Sequence, residues 1–429
     1  MLDIKTIRER TEDVKRGALN KGSDVDIDRI LELDTRRREL LQSSEVLRQR
    51  RNEVSGAIQT MSSADRQAAI EEVRQIKVQL PTVEEALKVV EEEYRALMYK
   101  VPQIPADDAP VGKSEHDNVV LRHEGGQPRV FDFEPRDHEA LGELLGILDK
   151  ERAVKFAGAR SYILRGAGAL LELAVMRLAI DIVIERGFTP ILGPLMVNYM
   201  ALEGTGFFPA GEEDTYRLER DEKYLIGTSE VHLVAMHANE IIDEASLPLL
   251  YTGYSPCFRR EAGSYGRDTR GVYRVHQFSK VEQVVICKDD PAQSQEMHHM
   301  LLKNAELVLQ ALELPYRVSA ACTGDMGQGK VRMFEVETWM PSRQAYCETH
   351  SCSELHDFQA RRLGIRYRDA DNNIRTCFTL NNTAAASPRI LIPILEHYQD
   401  EDGSVRVPKA LVPYMNGITR ILPGGAVER

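Results

Sequence analysis

Residues 258–282 read Phe258-Arg259-Arg260-Glu261-Ala262-Gly263-Ser264-Tyr265-Gly266-Arg267-Asp268-Thr269-Arg270-Gly271-Val272-Tyr273-Arg274-Val275-His276-Gln277-Phe278-Ser279-Lys280-Val281-Glu282. The flanks of this stretch alternate apolar and polar residues, as strands do. The glycines between the flanks are typical of a loop. The pattern therefore predicts two antiparallel strands joined by a long glycine-containing loop.

The arginines of this hairpin indicate an anionic ligand. A buried charge without a partner is costly, so arginines that face into a hairpin need anions. A guanidinium group matches phosphate or carboxylate oxygens through two parallel hydrogen bonds. We therefore predict a site for a phosphorylated ligand, with glutamates that hold a metal ion or an amine.

The common glycine-rich nucleotide motifs, Gly-x-x-x-x-Gly-Lys-Ser/Thr and Gly-x-Gly-x-x-Gly before a helix, are missing from the sequence. Small residues from Asn381 to Ser387 allow a ligand to approach the backbone, and Arg389 follows them before an apolar run. Arg389 could equally be a salt-bridged core residue. Taken alone, Thr228-Ser229-Glu230 is an N-cap before a helix, and Glu282 and Glu348 are paired structural acids.

Length and composition describe an ordinary globular protein. A chain of 429 residues is expected to form two or more domains, and it is 42% hydrophobic. Apolar runs are too short for a membrane span, and the polar helical start predicts no signal peptide. Six cysteines in such a chain are expected to be reduced thiols. The net charge of −12 argues against a generic nucleic-acid coat but leaves a local nucleic-acid site open.

The N-terminal hundred residues carry two stretches with the apolar repeat of a coiled coil. The second stretch has a regular 3-4 spacing. The first has seven-residue steps with weaker alternate positions. Ser62-Ser63-Ala64-Asp65 between them signals a turn and a helix N-cap. We predict an antiparallel helical hairpin over about residues 29–98, within an N-terminal domain of residues 1–104. The repeat positions are Leu33, Leu40, Leu47, Val54 and Met61, then Val73, Ile76, Leu80, Val83, Leu87, Val90, Tyr94 and Leu97.

Two readings of this hairpin stay open. It could be a dimerisation coil, or it could be an arm that binds RNA through its basic clusters. A charge run is usually a solvated face, so the clusters alone are weak evidence for RNA binding. The clusters are Arg36, Arg37 and Arg38, and Arg48, Arg50 and Arg51.

A proline-rich break at residues 101–110 predicts a boundary, and residues 111–429 form the second domain. The helical pattern from Leu170 to Arg186 ends at Gly187. Strand-like runs recur at 223–227, 272–287, 332–340 and 373–380. Strands separated by hairpin loops predict an α+β domain, with an antiparallel sheet flanked by helices.

These motifs resemble a known family. Phe258 to Glu261 is similar to motif 2 of the class II aminoacyl-tRNA synthetases, and the segment around Arg389 is similar to motif 3. The helix through Arg186 and the following segment to Pro194 resemble motif 1. The whole chain, with its helical hairpin, resembles bacterial-type seryl-tRNA synthetases.

The resemblance implies a cytoplasmic homodimer that joins ATP and L-serine into seryl-adenylate and transfers the seryl group to serine tRNA. It implies that Arg259, Arg389 and Glu282 are catalytic. Implied serine-binding residues are Thr228, Glu230, Arg259, Glu282, Asn381 and Thr383. Implied ATP-binding residues are Arg259, Glu261, Arg274, Val275, Phe278, Glu348, Ser351 and Arg389. Glu348 and Ser351 would hold Mg²⁺ with ATP, and the basic clusters of the hairpin would bind the tRNA.

The chain departs from the family pattern mildly at Ser229, and also at His350 and Glu354, which replace a small hydroxyl residue and an amide near the metal side of the site. A zinc site at Cys347, His350, Cys352 and His356 is not expected, because alternate residues of a strand face opposite ways. A specialised or antibiotic-resistant paralogue and a non-catalytic tRNA-binding regulator remain alternatives. Selenocysteine tRNA remains open as a further substrate.

Overall fold

A computed structural model describes residues 1–262 and 271–429. Contacts divide the chain into two compact units, residues 1–104 and 105–429. The predicted loop residues Gly263 to Arg270 lie outside the described residues.

The first unit is helical. It contains α1 (Ile4–Glu9), α2 (Thr11–Asn20), α3 (Ile27–Ala57) and α4 (Ser63–Met98). Asp26 caps α3 by accepting a hydrogen bond from the Arg29 backbone N–H at 2.9 Å. Ser62 caps α4, at the turn that the sequence predicts.

Helices α3 and α4 pack against each other as a long hairpin. Their contact follows the predicted heptad positions, with Leu33, Leu40 and Val54 buried on α3 and Ile76 and Leu80 buried on α4. The base of the hairpin has its own apolar core, made by residues from both ends of the unit. Its fully buried members are Leu2, Ile7, Val14, Ile27, Ile30, Met98 and Val101.

The second unit mixes strands and helices. The helices are α5 (His138–Leu144), α6 (Lys150–Ala157), α7 (Ala167–Glu185), α8 (Tyr199–Thr205), α9 (Glu230–Ala235), α10 (Pro291–Ala311), α11 (Phe358–Leu363) and α12 (Leu391–His397). The strands are β1 (Val119–Glu124), β2 (Thr189–Ile191), β3 (Met196–Val197), β4 (Arg217–Leu218), β5 (Lys223–Leu225), β6 (Ile241–Asp243), β7 (Leu249–Phe258), β8 (Gln277–Cys287), β9 (Tyr316–Ala320), β10 (Arg332–Met340), β11 (Ala345–His356), β12 (Arg366–Arg368), β13 (Ile374–Thr376), β14 (Phe378–Ser387), β15 (Val405–Arg406), β16 (Arg420–Ile421) and β17 (Val427–Glu428).

Eight strands form the main sheet in the order β1-β9-β10-β11-β14-β8-β7-β2. Adjacent strands from β1 to β7 run antiparallel, and β2 pairs with β7 in parallel at the edge. The predicted α+β fold with an antiparallel sheet is therefore confirmed, and the parallel edge strand is an addition to it.

Alternation along β8 separates the core from the opposite face of the sheet. Val281, Val285 and Cys287 belong to the main apolar core, where α7 and α10 pack on the sheet. Phe278, Lys280 and Glu282 point to the other face and line cavities there. The sheet thus carries its polar site on the face away from the large helices.

Three of the predicted strand runs have different bounds in the structure: the run at 223–227 shortens to β5, the run at 272–287 shortens to β8, and the run at 373–380 spans β13 and the start of β14. Residues 272–276 precede β8 rather than belong to it, and Val272, Tyr273 and Val275 owe their apolar character to a separate core cluster. The small residues 381–387, predicted as a ligand approach ahead of a buried segment, form the second half of β14. Thr383, Ala386 and Ser387 in this half of the strand line a cavity on the polar face of the sheet.

Within the described residues, every helix is too short or too polar to cross a membrane.

Candidate active site

The hairpin of β7 and β8 places Arg259 at the end of a strand. The Arg259 backbone N–H donates to the His276 carbonyl at 3.0 Å, which continues the pairing one step beyond β7. The guanidinium group lies 5.1 Å from the centre of the Phe278 ring and donates to the Gly227 carbonyl at 3.4 Å. The aromatic ring and the carbonyl thus hold the guanidinium group beside the end of β7.

Arg389 lies between β14 and α12. Its Nη1 donates to the carbonyl and to the carboxylate Oε2 of Glu348, both at 3.2 Å. Its guanidinium carbon lies 4.2 Å from the centre of the Tyr273 ring. The alternative of a core arginine is thus partly right, since Arg389 has an acidic partner, but the partner is partly exposed and both residues line a cavity.

The cavity beside Arg389 has a volume of about 100 Å³. All the residues that the sequence predicts for ATP line it, and Thr383 joins them. Its lining includes Arg259, Glu261, Arg274, Val275, Phe278, Glu348, Ser351 and Arg389.

A second cavity, open and of about 270 Å³, adjoins the first, since Arg259, Lys280 and Ser351 line both. It contains most of the residues predicted for serine. These are Thr228, Glu230, Arg259, Glu282 and Asn381.

Glu230 is the buried acid of the second cavity. Gln359 and Asn381 each donate a side-chain amide hydrogen to its Oε1, at 2.6 Å. Burial, helped by the nearby carboxylate of Glu282, raises the pKa of Glu230. An ammonium group beside Glu230 would stabilise its charged form against both the burial and the repulsion from Glu282. The carboxylate is therefore suited to bind a cation.

Glu282 is also buried, and it has two partners. Lys280 approaches its Oε2 at 2.5 Å, and the Thr383 hydroxyl donates to the same atom at 3.4 Å. The sequence leaves Glu282 either as a paired acid or as a ligand contact, and the structure shows a paired acid that also lines the second cavity.

Glu348 and Ser351 both line the first cavity and so lie where the predicted Mg²⁺ would meet phosphate. Described residues include no group of three or more His, Cys, Asp or Glu residues arranged to hold a metal ion. One carboxylate and one hydroxyl still fit Mg²⁺, which commonly binds through one or two carboxylates plus substrate phosphates and water.

The four residues considered for zinc all lie on β11. Cys352 is buried in the main core, whereas Cys347 contacts the cluster around Tyr273. His350 is buried next to the Thr349 hydroxyl, 2.8 Å from its Nδ1. Burial lowers the pKa of His350 to about 4, so the ring is neutral at physiological pH.

Neither His350 nor Glu354 lines either cavity. The side chains at these two departures from the family pattern therefore lie outside both cavities, although their neighbours Thr349, Ser351, Ser353 and Leu355 line the cavities. This follows from the alternation of β11.

Sequence reasoning missed several residues of the site. Tyr273 lies under Arg389, and Lys280 and Lys330 bring positive charge to the second cavity. Burial lowers the pKa of Lys330, and the carboxylate of Glu230 opposes this effect. A signal existed for Lys280, since a lysine two residues from Glu282 on a strand must share its face.

Comparisons with known proteins agree across both units. Residues 1–105 match the family model described as the seryl-tRNA synthetase N-terminal domain. Residues 215–398 match the tRNA synthetase class II core domain of the G, H, P, S and T enzymes.

Full-length relatives cover nearly the whole chain. The serine–tRNA ligase of Deinococcus radiodurans is 47% identical over 97% of this chain and 98% of its own. The seryl-tRNA synthetase of Pyrococcus horikoshii, solved in complex with ATP, has a TM-score of 0.92 and 39% identity over 99% of this chain and 100% of its own. The cytoplasmic serine–tRNA ligase of Naegleria fowleri, solved with AMP, has a TM-score of 0.87 and 30% identity over 99% of each chain. The chain therefore belongs to the seryl-tRNA synthetase family.

Proposed function

We propose that this protein activates L-serine with ATP and transfers the seryl group to the 3′ end of serine tRNA. The observation that carries the proposal is the position of Arg259, which lines both cavities. A guanidinium group at such a junction can bind the carboxylate of an amino acid and the α-phosphate of ATP together. The two groups that must react are then held side by side.

The reaction has two balanced steps. A carboxylate oxygen of serine attacks the α-phosphorus of ATP, the bond to the bridging oxygen breaks, and pyrophosphate leaves. The terminal ribose hydroxyl of the tRNA then attacks the seryl carbonyl, loses its proton and displaces AMP. Arg259 stabilises the negative charge that develops on the α-phosphate.

The first cavity is the proposed ATP half. Phe278 offers a ring for adenine to stack on, and Arg274 and Glu261, which form an ion pair at 3.5 Å, lie beside it. Val275 completes the wall there. Arg389 binds the terminal phosphate, in exchange for part of its contact with Glu348. Glu348 and Ser351 would hold Mg²⁺, which would offset repulsion between the phosphates.

The second cavity is the proposed serine half. Thr228 and Glu230 bind the ammonium group, and Glu282 accepts a hydrogen bond from the serine hydroxyl. Asn381 holds Glu230 in place, and Thr383 holds Glu282. A pocket that bonds a hydroxyl group in this way rejects alanine, because the analogue leaves buried polar groups without partners.

The helical hairpin is the proposed tRNA arm. Its arginines already have acidic neighbours, as between Arg37 and Glu91 at 3.1 Å and between Arg48 and Glu84 at 2.7 Å. Exposed ion pairs of this kind contribute about 0–1 kcal/mol, so phosphates can replace the carboxylates at little cost. We also propose a homodimer that works in the cytoplasm, as the family resemblance implies.

The proposed function is tested by charging. The full-length protein, ATP, Mg²⁺ and serine tRNA with labelled serine should yield labelled tRNA whose ester bond is cleaved by mild base. Retention of Arg259, Glu282 and Arg389 in one cleft favours this outcome over a non-catalytic regulator. Tight tRNA binding without any charging would support the regulator instead.

The raised pKa of Glu230 predicts a pH dependence of serine binding. Only the ionised carboxylate attracts the ammonium group, so serine binding weakens as the pH falls through this raised pKa. The KM for serine should therefore increase at a pH where an ordinary glutamate, with a pKa of about 4.3, is still ionised. Steady-state pyrophosphate exchange at several pH values measures this change in the KM for serine.

Glu230→Gln is the matched control, because it keeps the shape and removes the charge. This variant should bind serine more weakly, by roughly 1.5–3 kcal/mol, with no such dependence on pH. An identical pH slope in both proteins would assign the effect to another group.

A further inference from the structure

Glu354 is a buried acid that the proposed mechanism does not use. It lies on β11, its side chain is 1% exposed, and it lines neither cavity. Its Oε2 accepts a hydrogen bond from Arg332 Nη1, and its Oε1 accepts one from His356 Nε2 at 3.1 Å. The side chains of Arg332, at the start of β10, and His356, at the end of β11, therefore both contact the Glu354 carboxylate.

Arg332 extends these contacts to the N-terminal end of the second unit. Its Nε and Nη2 donate to Asp108 Oδ1 at 3.1 and 2.8 Å. The backbone adds a further bond, since the N–H of Val331 donates to the Glu354 carbonyl at 2.7 Å. We call Asp108, Arg332, Glu354 and His356 the Glu354 cluster.

The Glu354 cluster supports the wall of the second cavity. Residues 325–330, which lead directly into Val331 and Arg332, line that cavity, and so do Ser353 and Leu355 on either side of Glu354. The first cavity draws on none of these residues. Any loosening of the cluster thus acts on the serine half before the ATP half.

The cluster depends on the charge of Glu354. Burial favours the neutral form, but the hydrogen bond from His356 outweighs it and holds the pKa of Glu354 at about 2. Arg332 is itself only 15% exposed. Removing the carboxylate charge would leave a largely buried guanidinium group with Asp108 alone, and a buried charge that loses its partner moves toward water.

We propose that Glu354 is a positioning residue for the amino acid, which acts through Arg332 and His356 to hold the 325–330 wall of the serine-binding cavity. This inference rests on the proposed function, because it takes the second cavity as the serine site. On this proposal, the glutamate that departs from the family pattern at this position is held by its contacts with Arg332 and His356, and it adjusts amino-acid binding.

The test is Glu354→Gln in the full-length protein, assayed by pyrophosphate exchange with serine and with ATP varied separately. We expect the KM for serine to rise about tenfold, which corresponds to about 1.4 kcal/mol of coupling. The KM for ATP should stay within about twofold, since its cavity lies outside the cluster. Asp108→Asn, at an exposed position, should shift the KM for serine in the same direction by less.

Glu337→Gln is the matched control. Glu337 lies on β10 and accepts two hydrogen bonds from Arg317, both at 2.7 Å, but it lines neither cavity. The Glu337→Gln variant should reduce the thermal stability of the protein without raising the KM for serine relative to the KM for ATP.

Three outcomes contradict the inference. In Glu354→Gln, the KM for serine could be unchanged, or both KM values could rise together as in a general structural defect. Equal effects of Glu337→Gln and Glu354→Gln would also overturn it. If the unsubstituted protein shows no serine-dependent exchange, the proposed function fails first and the inference falls with it.

Discussion

Shortening the helical hairpin is expected to reduce aminoacylation by orders of magnitude while serine–ATP exchange stays nearly intact. All the residues that line either cavity lie between positions 205 and 389, outside the first unit. RNA is recognised by its shape and phosphates, and the basic arm would supply a salt-sensitive share of the affinity. The loss should therefore appear mainly in the KM for tRNA.

The structure indicates where to cut the arm. A deletion of residues 29–98 would remove Ile30 and Met98 from the apolar core at the base of the hairpin. A deletion of residues 38–90 spares that core. Arg37 and Glu91 form an ion pair at 3.1 Å, so a short glycine-rich linker can join the two helices there.

A second variant tests charge alone. Replacing Arg48, Arg50 and Arg51 by glutamine in the full-length chain should raise the KM for tRNA and reduce its salt dependence. Normal charging by the shortened protein would exclude the arm as a tRNA-binding element. A shortened protein that neither dimerises nor makes adenylate would identify the hairpin as a dimerisation coil.

Arg259→Ala and Arg389→Ala are each expected to lower serine-dependent exchange at least about 10²-fold, the effect of removing one group that stabilises transition-state charge. Arg259 lies at the junction of the cavities, and Arg389 lies at the end where the terminal phosphate is proposed. Circular dichroism should show that both variants stay folded.

Arg343→Ala is the control for Arg389→Ala. Its guanidinium carbon lies 4.3 Å from the centre of the Tyr273 ring, the same ring that Arg389 covers, but Arg343 lines neither cavity. Arg343→Ala should keep most of the exchange activity. Near-normal exchange in Arg259→Ala or Arg389→Ala would remove that arginine from the phosphate site.

Local patterns in the sequence predicted the fold well where one face of an element is apolar. The heptad positions of α3 and α4 and the alternation of β7 and β8 are such cases, and the resemblance to the family is confirmed. The strand predicted at 272–276 was wrong, because apolar residues that fill a side cluster look the same in sequence as those of a strand.

The site was predicted in its parts, but not in its contacts. Motif resemblance selected Arg259, Arg389 and Glu282, and their roles stay predictions. The Lys280 contact of Glu282 follows from local spacing, because the two residues lie two apart on β8. Pairing across distant strands decides the other contacts, so the contact of Arg332 with Glu354 could not be derived from local spacing. Lys330 reaches the second cavity only because the chain between β9 and β10 folds over it.

The central claim is that one cleft holds ATP and serine on either side of Arg259. Pyrophosphate exchange without tRNA, measured with serine, alanine, glycine and threonine in turn, tests it most directly. The account predicts exchange with serine and a kcat/KM at least about 10²-fold lower with alanine and glycine, because these leave the buried hydroxyl partner unpaired. Threonine, which adds a methyl group beside the same hydroxyl, should also be a poor substrate. Exchange that is absent with serine, or as fast with alanine, would contradict it.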